Sequence, residues 1–316
     1  VLTELPQEVP RVARALEVLV AAAVVGDFVG DSMLLKAGKS GDFMKTVQTR
    51  VIIATWIAVL GLSGFFSSAP TMAEDDANLA QKLANPVASL VSVPLQYNFD
   101  DKYGVTDQGS KHLINIQPVI PFSVSDSFNI ISRTILPVVA HSEPSFGSDS
   151  GGLGDTLQSL FLSPKQPTAS GLIWGVGPAL LLPTATDELL GAQKWGLGPT
   201  FVALRQTGAW TYGGLANHIW SFAGDESRSD VNATFMQPFM SYITSTKTTI
   251  TLNSESTYNW SDQNWSVPVN LIVSQLFKIG SQPMQIGVGP RYWIESPDGG
   301  PEGWGARAVF TLLFPK

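Results

Sequence analysis

Thr249-Ile-Thr-Leu-Asn-Ser-Glu-Ser-Thr-Tyr-Asn-Trp260 is the stretch that decides the fold of this chain. Ile250, Leu252, Tyr258 and Trp260 fall on one face of an extended strand. Thr251, Asn253, Glu255, Thr257 and Asn259 fall on the other. Successive side chains of a strand point to opposite faces, so this period of two marks a strand with one apolar side. A soluble sheet turns that side onto a core, whereas a transmembrane barrel turns it to lipid and lines its lumen with the polar side.

Working outward, segments of the same kind run near 88–99, 111–122, 128–139, 153–163, 170–182, 194–206, 209–221, 231–243, 248–260, 264–277, 283–295 and 304–315, which makes twelve. The connections after the even-numbered segments are brief, as at Thr207-Gly208 and Thr244 to Lys247. Those after most odd-numbered ones are longer and rich in Gly, Asp and Ser, as at Asp100 to Ser110, Ser142 to Gly152 and Ser296 to Gly303. Short turns at one end and long loops at the other are expected of an outer-membrane barrel. The ninth connection, Ser261-Asp262-Gln263, breaks the rule by being tight. Trp195, Trp210, Trp220, Trp260, Trp265, Trp293 and Trp304 fall at or near strand ends, where amphipathic rings form interfacial girdles; Trp174 lies further in. Ala308, Phe310, Leu312 and Phe314 share one face of the last segment, opposite Arg307, Val309 and Thr311. Seven prolines argue the other way. Pro118, Pro137, Pro178, Pro199, Pro238, Pro268 and Pro290 sit inside these segments, and proline cannot donate to a ladder.

Composition agrees with a membrane environment. Charged residues make up 14% of the 316, mean hydropathy is +0.14 and cysteine is absent. A net charge of −7 gives no footprint for nucleic acid. Residues 44–73 carry the three parts of a secretory signal: Lys45 and Arg50, an uncharged apolar run from Val51 to Phe66, and small residues at Thr71 and Ala73. Signals stand at true N-termini, so residues 1–43 are expected to be an over-extended start. Residues 74–87 are expected to form a helical segment, with Leu79 and Leu83 on one face and Asn85-Pro86 ending it, able to sit in the lumen as a plug. The barrel then spans 88–316.

No catalytic constellation emerges. His112, His141 and His218 share no metal-ligand spacing. Ser110 precedes His112, the reverse of the order that outer-membrane phospholipases use on one strand. Gly-x-Gly-Pro recurs at Gly175–Pro178, Gly196–Pro199 and Gly287–Pro290, but without the strand-to-helix context of a phosphate loop. Paired glycines instead clear one face of a strand, for curvature or for something in the lumen. No cofactor or metal site is expected.

Charges inside the spanning segments say more. An Arg facing lipid at mid-membrane costs about 2–4 kcal/mol, so such residues should point inward. The expected lumen lining is Asn115, Gln117, Arg133, Arg205, Asn253, Glu255, Asn270, Arg291, Glu295 and Arg307.

Leu79-Ala-Gln-Lys-Leu-Ala-Asn-Pro86, Asn115-Ile-Gln-Pro-Val-Ile-Pro-Phe122, Phe161-Leu-Ser-Pro164, Ile173-Trp-Gly-Val-Gly-Pro178, Ala216-Asn-His-Ile-Trp220, Pro297-Asp-Gly-Gly-Pro301 and Thr311-Leu-Leu-Phe-Pro-Lys316 extend across the mature chain. Together they resemble the MetA-pathway phenol-degradation family of Gram-negative exported proteins, often labelled transporter or neuromedin U. The resemblance implies an outer-membrane barrel passing small hydrophobic or aromatic compounds, and supplies no catalytic motif.

The expectation is therefore an all-β, transmembrane antiparallel barrel of about twelve strands with a short N-terminal helix, exported to the bacterial outer membrane. Its partners are membrane lipid, small-molecule solutes and the barrel-insertion machinery. It is read as a passive channel rather than an enzyme, with a structural or partner-binding barrel of blocked lumen as the alternative.

Overall fold

In the computed structural model, residues 73–142 and 150–315 are described. The expected over-extended start and almost all of the signal lie outside them. Helix α1 covers Ala73–Leu83. Fifteen strands follow, β1 Val91–Tyr103, β2 Gly109–Ile116, β3 Val119–Ser123, β4 Phe128–Ser142, β5 Ser150–Leu153, β6 Thr156–Pro164, β7 Leu172–Leu182, β8 Lys194–Thr207, β9 Trp210–Gly224, β10 Asn232–Ile243, β11 Thr248–Ser254, β12 Ser256–Asn259, β13 Asn264–Ile279, β14 Gln282–Glu295 and β15 Gly303–Phe314.

Three pairs of these are single spanning strands with a break. β2 and β3 are divided at Gln117-Pro118, β5 and β6 at Gly154-Asp155, and β11 and β12 at Glu255. Twelve antiparallel spanning strands result. Each pairs with its neighbours in sequence, and β15 returns to β1 from Val91↔Phe314 to Asp100↔Gly305, which closes the barrel. Closure leaves no edge strand to template aggregation.

The distribution of polarity is that of a barrel in lipid. Asn98, Thr200, Thr211, Asn270 and Arg307 are buried, while Phe201, Leu252, Val273 and Val288 are exposed. The exposed apolar residues share the outward face, and the buried polar ones share the lumen face.

Connections at the end bearing the chain termini are 124–127, 165–171, 208–209, 244–247 and 280–281. Those described at the other end are 104–108, 183–193, 225–231, 260–263 and 296–302. The parity expected from sequence holds with two exceptions: 260–263 is short, as anticipated, and 165–171 is longer than anticipated. Trp195, Trp220, Trp260 and Trp304 stand exposed towards the long-loop end, where Tyr292–Trp304 and Tyr258–Trp260 make edge contacts at 4.9 and 4.8 Å. Trp210 and Tyr242, 4.8 Å apart, mark the other interface. Trp293 corrects the girdle reading, because it turns into the lumen and donates Nε1–H to Asp100 Oδ1 at 2.7 Å.

Three of the seven prolines share one solution, while Pro118 falls at the β2–β3 break and Pro268 at a register shift. Pro178, Pro199 and Pro290 stand opposite Leu160, His218 and Leu271 in the registers of their ladders. The carbonyls of those three residues have no N–H to accept from the prolines. Each lies instead against the glycine just before the proline, Gly177, Gly198 or Gly289, where any Cβ would collide with it. Gly-Pro is thus a matched pair: proline removes the donor and glycine makes room for the displaced acceptor. The first glycine of one motif serves differently. A Cβ on Gly175 would lie 3.3 Å from Val87, so its absence admits the N-terminal segment.

Candidate functional site: the barrel lumen

The N-terminal segment lies inside the barrel. Leu79, Ala80, Ala88 and Leu90 cluster with the lumen-facing Leu276 and Leu313, and Leu83 and Ile243 pack beside them. Further along, Val87 inserts among Ile131, Phe161, Val202, Leu204 and Leu215, with Phe235 and Phe239 at the margin. Burial of an aliphatic side chain contributes about 1.5–3 kcal/mol, so these contacts hold the segment in place. The turn between the two clusters is built by Asn85, whose side chain accepts from Val87 N at 3.0 Å while Ala88 N donates to Asn85 O at 3.1 Å. Polar ties fix it to the wall: Gln206 Nε2 donates to Gln81 O at 2.7 Å, and Asn129 Nδ2 to Ser89 Oγ at 2.7 Å.

The opposite wall is charged. Arg307 grips Glu255 with both terminal nitrogens, at 2.8 and 2.6 Å, and its Nε donates to Asn98 Oδ1 at 2.7 Å. Arg291 Nε lies 2.8 Å from Asp100 Oδ1 and its Nη1 lies 3.8 Å from Glu255 Oε2. Asn270 donates to Asn253 at 2.9 Å, and Arg291 stacks over Trp293 with its guanidinium carbon 4.7 Å from the ring centre. Glu255 sits where the strand breaks between β11 and β12, and reaches Arg307 past the two intervening strands β13 and β14. Arg–carboxylate pairs of this two-pronged geometry are among the stronger polar contacts a protein makes.

Apart from that group, Arg133 Nη2 donates to Gln117 Oε1 at 2.9 Å. A cavity of about 240 Å³ lies between residues 82–90 and this part of the wall, bordered by Arg133, Gln117, Asn253, Phe239 and Val119.

The lining residues expected from sequence thus divide. The structure brings Glu255, Arg291, Arg307, Asn253 and Asn270 into one group on the lumen face. It places Gln117 and Arg133 beside the cavity, and Asn115 on the same face through its pairing with Gln96. Two residues are corrected. Arg205 shares the outward face of Phe201 and Ala203 and is exposed, being close enough to the end of β8 to reach the interface with its long stem. Glu295 is also exposed, because the β13–β14 register slips by one between Val267 and Pro268 and turns it outward beyond Trp293. Asp100 and Asn98 are members of the charged group that sequence reasoning missed. They sit in β1 beyond Gln96, on the face that alternation assigns to the lumen, and that alternation was the available signal.

The histidines lie apart from each other. His112 Nδ1 is 2.8 Å from Tyr97 Oη, and His218 Nδ1 is 2.7 Å from Thr234 Oγ1, both on the outward face. His141 is buried at the end of β4, with its ring 5.5 Å from that of Tyr103. Among the described residues, no three His, Cys, Asp or Glu side chains are grouped to hold a metal.

With this geometry in hand, the chain is recognisable as an outer-membrane β-barrel. Its fold is similar to that of an outer-membrane channel from Pseudomonas putida, at 14% sequence identity and a TM-score of 0.57, with 79% of this chain and 98% of that one covered. Weaker likenesses include the outer-membrane phospholipase A of Escherichia coli (10% identity, TM-score 0.39, covering 72% and 96%) and a FadL homologue from Pseudomonas aeruginosa (10%, 0.32, covering 78% and 94%). No protein-family model matches the sequence, and no curated protein matches it either. The class is defined by the fold: a closed, twelve-stranded, antiparallel transmembrane β-barrel.

Proposed function

We propose that the protein is an outer-membrane channel through which small, hydrophobic or aromatic molecules diffuse passively, with the N-terminal segment as its plug. The observation that carries this reading is that the lumen is filled by a separate stretch of chain and not by wall side chains alone. Twelve strands enclose more space than the eight of a side-chain-filled barrel and less than the sixteen of an open porin. The wall itself is amphipathic. Ile131, Phe161, Val202, Leu204 and Leu215 form one side, and Glu255, Arg291, Arg307 and Asn270 the other. A solute with an apolar ring and a polar edge fits both.

Single-channel recording in a planar bilayer tests the proposal, comparing the whole protein with a form lacking residues 74–87. Discrete steps that grow on deletion support a plugged pore. Silence from both, with a heat-modifiable folded barrel on the gel, favours a second reading, a structural or partner-binding barrel. That reading draws on the ion pairs from Asp100 through Arg291 and Glu255 to Arg307, which brace the lumen.

A further inference from the structure

Arg133 is placed differently from the other two lumen arginines. Arg291 and Arg307 each meet a carboxylate, whereas among the described residues no carboxylate lies within ion-pairing distance of Arg133, and its hydrogen bond to Gln117 uses one of five N–H donors. Glu255, the acid whose charge acts on Arg133, is already held by both prongs of Arg307. A guanidinium cannot shed its proton to relieve the imbalance.

The charge stands at the edge of the 240 Å³ cavity, whose lining includes two charged side chains, Arg133 and Lys82, both positive. Val119, Phe239 and Leu90 supply an apolar side, and Ser241 and Thr251 supply hydroxyls. A water takes about 30 Å³, so the space holds about eight. It falls below the range of about 300–1,000 Å³ typical of drug-sized sites. The chain carries an excess of acid, net −7, yet this chamber has an excess of base. A site with this shape and sign is complementary to one small ring bearing one anionic group.

We propose that the chamber between residues 82–90 and the wall at Arg133 is a binding site for a small aromatic carboxylate. The carboxylate pairs with the guanidinium of Arg133, and the ring lies against Val119 and Phe239. Lys82 adds long-range attraction at the plug side. This names the solute class of the channel proposed above and rests on that reading for its role in transport, although binding itself does not require flux.

The test is calorimetric titration of the whole purified barrel in detergent with benzoate and with benzamide, its uncharged counterpart of nearly the same shape. The same preparation is recorded in planar bilayers. Benzoate is expected to bind at least about tenfold more tightly than benzamide, since a charge-assisted hydrogen bond is at stake. Arg133→Gln should erase that preference, Arg133→Lys should keep part of it, and Arg205→Gln on the outer face should leave it intact. Should Arg133→Gln fail to fold, Val119→Trp, which fills the ring end and leaves the charge in place, should abolish benzoate binding. Equal binding of benzoate and benzamide, or benzoate binding unchanged in Arg133→Gln or Val119→Trp, overturns the site. Conductance without benzoate binding overturns it too, while leaving the pore reading standing. Specific binding by a barrel silent in bilayers supports the site and removes the pore.

Discussion

Glu255 is the residue on which most of the lumen's charge balance turns, and its replacement has a calculable cost. Glu255→Ala removes the acceptor for two Arg307 bonds of 2.8 and 2.6 Å and the second partner of Arg291 at 3.8 Å. Truncating one member of a buried ion pair typically costs about 3–5 kcal/mol, much of it from the charge left behind. The Glu255 side chain is 18% exposed to the lumen and that of Arg307 1%. Water can therefore enter the space vacated by the carboxylate and solvate part of the orphaned guanidinium. That places the expectation at the lower end, about 3 kcal/mol. Urea unfolding of the barrel in lipid vesicles, followed by tryptophan fluorescence, reads this directly. Arg307→Met should cost a similar amount, since it strands the carboxylate instead. The double variant Glu255→Ala/Arg307→Met should lose little more than either single one, giving a coupling energy of about 3 kcal/mol, close to the size of one single loss. Additive losses in the cycle, or a loss below about 0.5 kcal/mol for Glu255→Ala, the range of an ordinary surface change, would refute the account of a buried, mutually dependent pair.

Three further outcomes follow from the same geometry. Leu252→Arg puts a cation on the lipid face near mid-strand and should cost about 2–4 kcal/mol in vesicle refolding; an unchanged midpoint would mean the faces are reversed. Gly198→Ala drives a methyl into the His218 carbonyl and should destabilise by about 1–3 kcal/mol, whereas Gly208→Ala, at a turn with open space around it, should cost less in contacts and act through its positive φ alone. In the 225–231 loop, Asp230 accepts from Lys194 at 3.1 Å and Ser221 at 3.0 Å, which holds its carboxyl below the ordinary value. The stabilisation from a carboxyl so depressed is complete above its unfolded pKa and is lost as pH falls through the folded one. Carboxyl NMR should therefore show Asp230 titrating below about 3.9, and Lys194→Met should move it upward; no movement would remove Lys194 as the principal cause.

Strand number and face were legible because alternation is a property of single segments. Each of the twelve segments from 88 to 315 carries its own period-two record, and the lumen positions Asn253, Asn270 and Arg307 can be read from immediate neighbours. Arg205 and Glu295 show where that logic stops. The rule that an Arg in a spanning segment points inward assumes mid-membrane depth, and Arg205 lies at the end of β8, where a long side chain can reach water. Glu295 alternates correctly from Arg291 until a bulge resets the phase, and a bulge is a relation between two strands that one strand's sequence does not carry. The prolines were unreadable for the same reason. Their cost is real in a single strand; at Pro178, Pro199 and Pro290 it is relieved by the glycine before them meeting a carbonyl from the next strand, and Pro118 and Pro268 sit at a strand break and a bulge.

Pairing inside the lumen is a further step removed, because partners such as Asn98 and Arg307 are 209 residues apart. Once the barrel closes, the charges sort into two kinds. Those of β1, β14, β15 and the β11–β12 break neutralise one another, so that section of wall offers a solute polar contacts without net charge. Arg133 and Lys82 remain uncompensated by any acid on the cavity they share, and the apolar belt around Val87 adjoins them. On the proposed plug reading, the N-terminal segment would decide which of these surfaces a solute meets. Seated, it covers the belt with Val87 and forms one side of the basic chamber. Withdrawn, it would take Lys82 with it and leave Arg133 beside the uncovered belt, as one amphipathic surface. A solute able to contribute both a ring and an anionic edge gains contacts from that joining that a purely polar ion does not. If the segment is the plug proposed above, it would favour amphipathic solutes over salt by the differential contacts it covers, which is the condition a ligand must meet to shift a closed state towards an open one.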